Sequence, residues 1–389
     1  MNNDTTTAVY DTSLSEEQLA IRQLARDFAE NEIRPVVSHY DETQDFPHDL
    51  FGKMAELGFL GITVPTELEG SGLGYIEYAL IVEEIARVDP AVALGVAAHN
   101  GLGTGHINRF GSDALRQKYV PRLASGRTLA AWGLTEPGSG SDAGGMMTVA
   151  RRDGDDWIIN GSKNFITHGN VGDVAVIMAV TDRERGANGV SAFVVDKTMA
   201  GFSATKKENK LGMRCSDTAS LVLEDVRVPG ENLIGEEGQG FKQALQILDG
   251  GRISIAALSV GLAQGAFEAA VRYAGERHQF GRSLSDFQGT QFKLAKMATD
   301  ITAGRLLTYQ AAWLRDNGQD YATMASKAKY FASEASVRCA EESVQIHGGY
   351  GYIKEYPAEK FYRDAKLLTI GEGTSEIQKI VIARAVVRG

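Results

Sequence analysis

The chain has 389 residues, of which 43% are hydrophobic and 23% charged, a composition typical of a globular protein with two or three domains. Its 40 basic and 50 acidic side chains give a formal net charge of −10, which argues against general nucleic-acid binding and against an anionic membrane surface. We find no membrane-spanning apolar run, no export signal and no metal-ligand spacing around Cys215 or Cys339, and therefore expect a cytoplasmic protein with reduced cysteines and no metal.

The first third of the chain has the hydrophobic spacing of α-helices. An apolar stripe from Ile21 to Phe28 predicts the first helix, which Pro35 is expected to end. Further helices are predicted over residues 50–57, 78–88, 91–99 and 113–123. Because no strand is evident between them, the sequence favours an N-terminal helical domain, residues 1–129, over a βαβ arrangement.

The pattern changes near residue 130, and from residue 148 to about residue 228 the helical spacing disappears and short β-rich runs replace it, which predicts a β domain over residues 130–238. Residues 157–159 lead into Asn160-Gly161, a strong hairpin signal. Further strands are predicted over residues 163–167, 174–180, 190–195 and 220–228. Such a series predicts an antiparallel β-sandwich or barrel of about 100 residues.

Helices return after residue 238 and are longer than before. Residues 241–274, 285–314 and 321–346 each carry an amphipathic pattern. Three or four such helices predict a C-terminal helical bundle, residues 239–389. The chain is therefore expected to be an α+β multidomain protein in the order helices, β-strands, helices.

Glu372 stands between Gly371 and Gly373, just before the last predicted helix. Ser375 followed by Gln378 is a capping-box pattern, so this helix is expected to begin at Ser375 or Glu376. The flanking glycines would let a backbone or a ligand approach closely, which suits a base that must reach one particular hydrogen. The alternative is a solvated glutamate in a glycine-rich turn.

A second glycine-rich stretch covers residues 133–142, and the pattern G-x-G-x-x-A begins within it, at Gly138, Gly140 and Ala143. No βαβ unit surrounds this pattern, so a Rossmann dinucleotide site is not expected there. A loop of small residues with free N–H groups can instead hold a flat cofactor and a thioester. Phe165, considered alone, is more typical of core packing.

Two long motifs identify a family resemblance. Residues 133–145 (GLTEPGSGSDAGG) and 345–364 (QIHGGYGYIKEYPAEKFYRD) resemble the two signatures of the acyl-CoA dehydrogenase family, and residues 277–281 (RHQFG) and the Glu372 segment add further matches. The resemblance covers essentially the whole chain. It implies the acyl-CoA dehydrogenase fold, with a helical domain, a β domain and a four-helix C-terminal domain. It also implies a homotetramer with bound FAD that desaturates acyl-CoA thioesters, as in fatty acid β-oxidation, and passes electrons to an electron-transfer flavoprotein.

The resemblance also implies roles for particular residues, with Glu372 as the base that removes the α-proton. The flavin would be lined from the β domain by Trp132, Gly133, Leu134, Thr135, Ser141, Phe165, Ile166 and Thr167. The FAD of a neighbouring subunit would be reached by Arg277, Gln288, Gln345, Ile346, His347, Gly348 and Gly349. Thr374, Ser375 and Glu376 would lie near the dinucleotide at a helix start, where N–H groups suit phosphate. The acyl-CoA thioester would contact Ser141, Asp249, Arg252 and Gly373.

Two departures from the family bear on the substrate and on the base. Some relatives carry the base immediately before the position of Arg252, but this chain has Gly251 there, which leaves Glu372 as the candidate. Many straight-chain members carry a tyrosine just before the base, where this chain has Gly371. We therefore expect short or branched acyl chains. An acyl-CoA oxidase and a non-catalytic acyl-CoA or flavin-binding scaffold remain as alternatives.

Overall fold

A computed structural model describes residues 13–205 and 207–388, and its first part is helical as the sequence predicts. The helices are α1 (Glu16–Phe28), α2 (Val37–Thr43), α3 (His48–Glu56), α4 (Tyr75–Val88), α5 (Pro90–Ala98), α6 (Gly105–Phe110) and α7 (Asp113–Ala124). The four helices predicted between residues 50 and 123 are confirmed as α3, α4, α5 and α7.

The expectation that Pro35 ends the first helix is wrong. The chain passes from α1 through a π-helical turn, Ala29–Ile33, and a 3₁₀ turn, Arg34–Val36, directly into α2. Pro35 stands in the first positions of the 3₁₀ turn, where a missing N–H removes no hydrogen bond. The proline therefore changes the type of helix and does not stop it.

The central part forms a seven-stranded sheet. Its strands are β1 (Ala130–Gly133), β2 (Val149–Asp153), β3 (Asp156–Thr167), β4 (Val174–Val180), β5 (Val190–Asp196), β6 (Phe202–Ala204) and β7 (Thr218–Val228). The order is β1-β4-β2-β3-β7-β6, with β5 also paired to β4. Pairing is antiparallel as expected except at β4, whose contacts with β1 and β2 are parallel.

The hairpin predicted at Asn160-Gly161 is also wrong. Strand β3 continues through these residues. The hairpin turn instead connects β2 to β3, between Asp153 and Asp156, which pair with each other. Asn160 and Gly161 instead mark a shift in the register between β3 and β7, with φ of +151° at Gly161. The Asn160 side chain bonds to Asp225 on β7, so the local turn signal stabilises an irregular strand pair.

Strand β4 has an unbroken apolar sequence, VAVIMAV, because both of its faces are buried. Val176 and Met178 face one side, where they pack with α7, while Ile177 on the opposite side packs with Trp157 and Phe193. Both faces of the strand are therefore buried, and polar residues do not alternate with apolar ones.

Longer helices follow the sheet, as predicted. They are α8 (Gly240–Glu276), α9 (Gln288–Asp316), α10 (Ala322–His347), α11 (Ala358–Leu368) and α12 (Ser375–Arg388), with a short ribbon of β8 (His278–Gln279) and β9 (Arg282–Ser283) after α8. Helix α8 packs against α4, α9 and α10 and links the bundle to the N-terminal helices. By length and composition α8 could cross a membrane, but 83% of its most apolar stretch of 18 residues is buried inside the protein. Cys215 and Cys339 are free and buried.

Candidate active site

Glu372 lies in the turn between α11 and α12, with a left-handed backbone of φ 52°. A glutamate rarely adopts this conformation, which costs free energy unless neighbouring groups hold it. Two side chains do so, since Gln378 Nε2 donates to the Gly373 carbonyl at 3.0 Å and Lys329 Nζ donates to the same carbonyl at 2.6 Å. Of the two flanking glycines, Gly373 is left-handed with φ 91°, whereas Gly371 is not.

One oxygen of the Glu372 carboxyl group is removed from water, although the residue as a whole is only half-buried. Its Oε2 atom is shielded from solvent and accepts no hydrogen bond from any described residue. Burial raises the pKa of Glu372 to about 7, although the positive charges of Lys329 and Arg252 act in the opposite direction. This excludes a solvated glutamate and gives a base whose strength is matched to neutral pH.

Gly251 on α8 makes room for this carboxyl group. A Cβ atom built on Gly251 would overlap Glu372 Oε2 and would lie 3.5 Å from Leu102 Cδ2. The position at which some relatives are expected to carry their base therefore faces the same space as Glu372. One carboxylate fills this space, and here it comes from the turn before α12.

The two residues beside Gly251 that were predicted to contact substrate are joined to each other. Arg252 is buried, and its Nη1 donates to Asp249 Oδ1 at 2.5 Å and to Ser326 Oγ at 3.2 Å. Its Nε is buried and has no acceptor among the described residues. The structure thus brings Asp249, Arg252, Glu372 and Gly373 to one place, where α8 passes the turn before α12.

The glycine-rich loop after β1 is fixed by a buried ion pair that the sequence analysis did not identify. Lys163 Nζ lies 2.7 Å from Glu136 Oε1, and both side chains are buried. Glu136 also accepts the N–H of Thr148 at 3.0 Å, while the Thr135 carbonyl accepts the N–H of Asn164 at 2.8 Å. The loop is tied to β3 at both residues, which fixes the main chain predicted to hold a cofactor.

Phe165 is not part of the core, contrary to the interpretation of that residue alone. Its side chain is 65% exposed and its backbone is left-handed, with φ 57°. Ile166, the next residue, is buried, and Thr167 pairs with Thr218 on β7. An apolar ring turned outwards at a strained backbone position is suited to contact with a flat ligand.

A chain of hydrogen bonds fixes Trp132. Its indole Nε1 donates to His106 Nδ1 at 3.0 Å, and His106 Nε2 lies 3.0 Å from Gln243 Oε1. Gln243 Nε2 in turn donates to the Ile234 carbonyl at 3.0 Å. Burial lowers the pKa of His106 to about 4, so its ring is neutral and accepts the indole proton. No sequence motif connects His106 with Trp132, and this contact was missed.

The last helix begins at Ser375 as predicted, but its cap is different. Thr374 Oγ1 accepts the N–H of Ile377 at 3.3 Å, whereas Ser375 Oγ donates to Glu334 Oε1 at 2.6 Å. Gln378 turns towards the carbonyl groups before the helix and does not complete a capping box. The predicted capping box is therefore wrong, and Ser375 joins α12 to α10.

The residues predicted to reach a neighbouring subunit lie far from Glu372. Gln345 is 16 positions beyond Lys329 on α10, which corresponds to about 24 Å along a helix. A cavity of about 410 Å³ is lined there by Arg277, Ile346, His347, Gly348 and Gly349, among others. His347 stacks on Tyr273 with ring centroids 4.4 Å apart, and its Nδ1 lies 2.7 Å from the Ser343 carbonyl, so its ring is held in place by the neighbouring helices.

The remaining predicted residues differ in accessibility. Ser141, Gln288 and Glu376 are exposed, whereas the side chains of Leu134 and Ile166 lie in the core. Their contacts with a cofactor or substrate stay predictions. Within residues 13–205 and 207–388, no group of three or more His, Cys, Asp or Glu side chains is arranged to hold a metal.

Comparison with known proteins assigns all three parts of the chain. Residues 15–127 match the acyl-CoA dehydrogenase N-terminal domain, residues 131–226 the middle domain and residues 238–387 the C-terminal domain.

Individual relatives match over nearly their full length. The short-chain specific acyl-CoA dehydrogenase of Clostridium acetobutylicum is 46% identical over 97% of this chain and 100% of its own. The CarC subunit of the caffeyl-CoA reductase-Etf complex of Acetobacterium woodii is 45% identical over 95% of this chain and 98% of its own. The structure of butyryl-CoA dehydrogenase from Megasphaera elsdenii superimposes with a TM-score of 0.96 at 40% identity, covering 97% of this chain and 100% of that one.

Proposed function

The chain belongs to the acyl-CoA dehydrogenase family, and from this we propose that it desaturates short or branched acyl-CoA thioesters between Cα and Cβ, with Glu372 as the base. The observation that carries the proposal is the Glu372 carboxyl group, one oxygen of which is shielded from water, with burial raising the pKa of the group to about 7. Two relatives named as short-chain or butyryl-CoA dehydrogenases support the substrate class.

The residues around the glycine-rich loop fit FAD, the cofactor of this family. Phe165 offers an exposed aromatic ring, and the loop after β1 offers a main chain fixed by Lys163 and Glu136. We propose that Trp132, Thr135 and the other residues predicted to line the flavin hold it from the β domain. When bound, FAD supplies the acceptor for the hydride that leaves Cβ.

Glu372 removes the proton from Cα. As the C–H bond breaks, its electron pair moves into the new double bond, and the hydrogen on Cβ leaves with its own pair as hydride. A carboxylate in water is too weak a base for this proton, but shielding from solvent raises its basicity towards neutral pH. After the reaction the protonated carboxyl is neutral, and its burial costs much less free energy than burial of the carboxylate.

The backbone of Glu372 has a second role in the proposal. Its N–H donates to no acceptor in the described part of the chain. We propose that it donates to the thioester carbonyl oxygen, on which negative charge develops as the α-proton leaves. Asp249 and Arg252 adjoin this position through Gly251 and contact the same thioester.

The substrate preference rests on Gly371. A Cβ atom built there would have Leu367 as its nearest neighbour, at 3.6 Å, which is ordinary van der Waals contact, so glycine is not required there by a clash. We propose that the absence of a side chain at residue 371 leaves room for a short or branched acyl chain. Rates on butyryl-, isobutyryl-, isovaleryl- and octanoyl-CoA test this preference. We expect octanoyl-CoA to be the poorest of the four, and a strong preference for it would contradict the proposal.

The reaction itself is tested with Glu372→Gln in an anaerobic titration with the same thioesters. The variant is expected to keep the yellow flavin and the affinity for acyl-CoA but to lose bleaching of the flavin. Normal bleaching would overturn the role of Glu372, and a native protein that never bleaches would indicate a binding scaffold. Reoxidation with oxygen or with an electron-transfer flavoprotein separates an oxidase from a dehydrogenase.

We also propose an electron-transfer flavoprotein as electron acceptor, a homotetramer, a cytoplasmic location and domain boundaries at residues 129/130 and 238/239. A relative that is a subunit of an Etf complex supports the acceptor. The distance of Gln345–Gly349 from Glu372 and the exposed rings of Phe280 (93%) and Phe292 (67%) support contacts between subunits. Sedimentation of the purified protein tests the tetramer.

A further inference from the structure

Lys329 is a fully buried lysine in the N-terminal third of α10, with 0% of its surface exposed. Its Nζ donates to the Gly373 carbonyl at 2.6 Å. The carboxylates that act on it, Glu372, Glu334 and Glu376, do so through their charge and not through a hydrogen bond. An ammonium group without a paired carboxylate is costly to bury, so a nearby negative charge is needed to offset the cost.

The nearest source of that charge is the candidate base. Burial lowers the pKa of Lys329 to about 8, and Glu372 is the strongest charge acting against this shift. Conversely, Lys329 is the strongest charge that opposes the raised pKa of Glu372. The lysine and the glutamate therefore favour each other's ionised form across a distance longer than a salt bridge.

Charged residues on the neighbouring helices also act on Lys329 and Glu372. Arg252 on α8 attracts Glu372 and repels Lys329, while Glu334 and Glu376 attract Lys329. Glu334 on α10 is engaged by Ser375, whose hydroxyl donates to it at 2.6 Å. On α4, Glu372 acts on the buried hydroxyl of Tyr78 and further disfavours its ionisation.

Lys329 also bears on the backbone of the base. Gly373 follows Glu372 directly, and both have a left-handed conformation. The Gly373 carbonyl receives two donors, Lys329 from α10 and Gln378 from α12, so the turn is fastened to both helices. A lysine is needed for the charge, whereas the hydrogen bond alone requires only a donor.

We infer that Lys329 is a positioning residue for the base, because its ammonium group fastens the Glu372 turn through Gly373 and keeps the Glu372 carboxylate ionised before substrate binds. The inference rests on the proposed function and adds a residue to it. Lys329 transfers no proton and touches no reacting atom. Its role is to set where the carboxylate points and how readily it gives up its own proton.

The test compares Lys329→Met, which removes both charge and donor, with Lys329→Gln, which retains a donor. Removing the positive charge favours protonated Glu372, so the acid limb of kcat/KM moves to higher pH in both variants. For Lys329→Gln, which keeps a donor, we expect at least a tenfold loss at pH 6 and recovery to within about threefold of the wild-type rate at pH 9. Lys329→Met also loses the hydrogen bond that fastens the turn and is expected to keep a further loss at pH 9. Lys327→Met, two positions away on α10 and partly exposed, is the matched control and keeps the wild-type profile.

A second readout does not depend on turnover. The infrared carboxyl band of Glu372, assigned by its absence in Glu372→Gln, is titrated in the protein without substrate. Its midpoint is expected to rise in both Lys329 variants and to stay unchanged in Lys327→Met. If Lys329→Met does not fold, Lys329→Gln alone decides the question.

The outcomes separate the inference from the proposal on which it rests. Turnover by Glu372→Gln would refute the base itself. An inactive Glu372→Gln together with unchanged pH profile and infrared midpoint in Lys329→Gln would overturn only the role of Lys329. In Lys329→Gln, which keeps a donor, a loss of rate that is equal at all pH values would show that Lys329 merely supports the fold, which also contradicts the inference.

Discussion

Glu372 combines a strained backbone with an unpartnered carboxyl oxygen, and both properties depend on other residues. Gly251 supplies the space and Lys329 holds the following carbonyl. The position of Glu372 before a helix and the missing side chain at residue 251 can be read from the sequence. Lys329 cannot, because it lies 44 positions from Gly373 in the chain and no motif links the two. Sequence patterns show which residues have side chains suited to catalysis. Contacts between segments far apart in the chain decide which of these residues lie together.

The space at Gly251 gives a direct prediction. In Gly251→Ala the new methyl group would overlap Glu372 Oε2, the end of a flexible side chain, so the carboxylate should turn away while the fold persists. A displacement of about 1 Å of a reacting group costs on the order of 100-fold in rate. We expect this loss in kcat with flavin content unchanged. Gly275→Ala on the same helix, where a Cβ meets nothing within 4 Å, is the control and should retain full activity.

The base also predicts a pH dependence. Burial raises the pKa of Glu372 to about 7, and only the unprotonated carboxylate can accept the α-proton. Activity is therefore lost as the pH falls through 7, by about tenfold per pH unit, and levels off above it. The measurement is kcat/KM for a short acyl-CoA between pH 5 and 8.5. A profile that stays level down to pH 5 would mean that Glu372 is solvated and not buried.

At the scale of elements, local signals predicted where most helices and strands lie but misjudged what some boundary residues do. Asn160-Gly161 has the sequence of a tight turn, yet it forms an irregularity inside β3, because Asn160 finds a partner in Asp225 across the sheet. Ser375 has the sequence of a cap, yet its hydroxyl is taken by Glu334 of α10. In both cases a contact with a distant segment outweighs the local preference.

Substitutions at the start of α12 distinguish Thr374, which caps the helix in the structure, from Ser375, to which the sequence pattern assigned the cap. Thr374→Ala removes the acceptor of the Ile377 N–H, so hydrogen exchange at Ile377 should accelerate and the free energy of unfolding should fall by about 1 kcal/mol. Ser375→Ala loses only its bond to Glu334 and should leave the Ile377 amide protected. Exchange of a peptide that covers residues 374–380 measures both. Faster exchange in Ser375→Ala alone would restore the capping box read from the sequence.

At the scale of the whole molecule, one buried ionic cluster joins segments that are far apart in the chain. Lys360 on α11 lies 2.9 Å from Asp89 Oδ1 and 2.6 Å from Asp364 Oδ2. Asp364 also accepts the N–H of Met213, which belongs to the segment before β7. Nearby, Arg363 binds Asp41 on α2. The cluster connects all three predicted domains at the helix that leads into the Glu372 turn.

These residues end the second signature, residues 345–364, that identified the family. The sequence shows that the motif is present but does not show what its last residues do, since Lys360 and Asp364 resemble an ordinary i, i+4 pair on a helix surface. Only the packing of α11 against Asp89 and Met213 reveals that the pair is buried. The end of the signature is therefore structural, although it lies close to the active site in the chain.

The cluster predicts a large effect on stability. Burial disfavours a charged lysine, but Asp364 and Asp89 outweigh it and raise the pKa of Lys360, so Lys360 remains a cation. Lys360→Met would leave two buried carboxylates without a counter-charge and lower the free energy of unfolding by about 3–5 kcal/mol. Lys366→Met, on the exposed side of the same helix, should change it by less than about 0.5 kcal/mol.

The pH dependence of the stability lost in Lys360→Met identifies the cause of the loss. Burial raises the pKa of Asp364, so the folded protein binds a proton there more tightly than the unfolded chain. In Lys360→Met the pKa of Asp364 rises further, because the lysine charge that opposed the effect of burial is gone. The variant therefore becomes less stable as the pH rises, since Asp364 then loses its proton while buried. Denaturant unfolding should therefore show a larger deficit at pH 8 than at pH 5, and adding Asp364→Asn should recover part of it. A deficit that is equal at both pH values would point to lost packing of the lysine side chain and would contradict an electrostatic role.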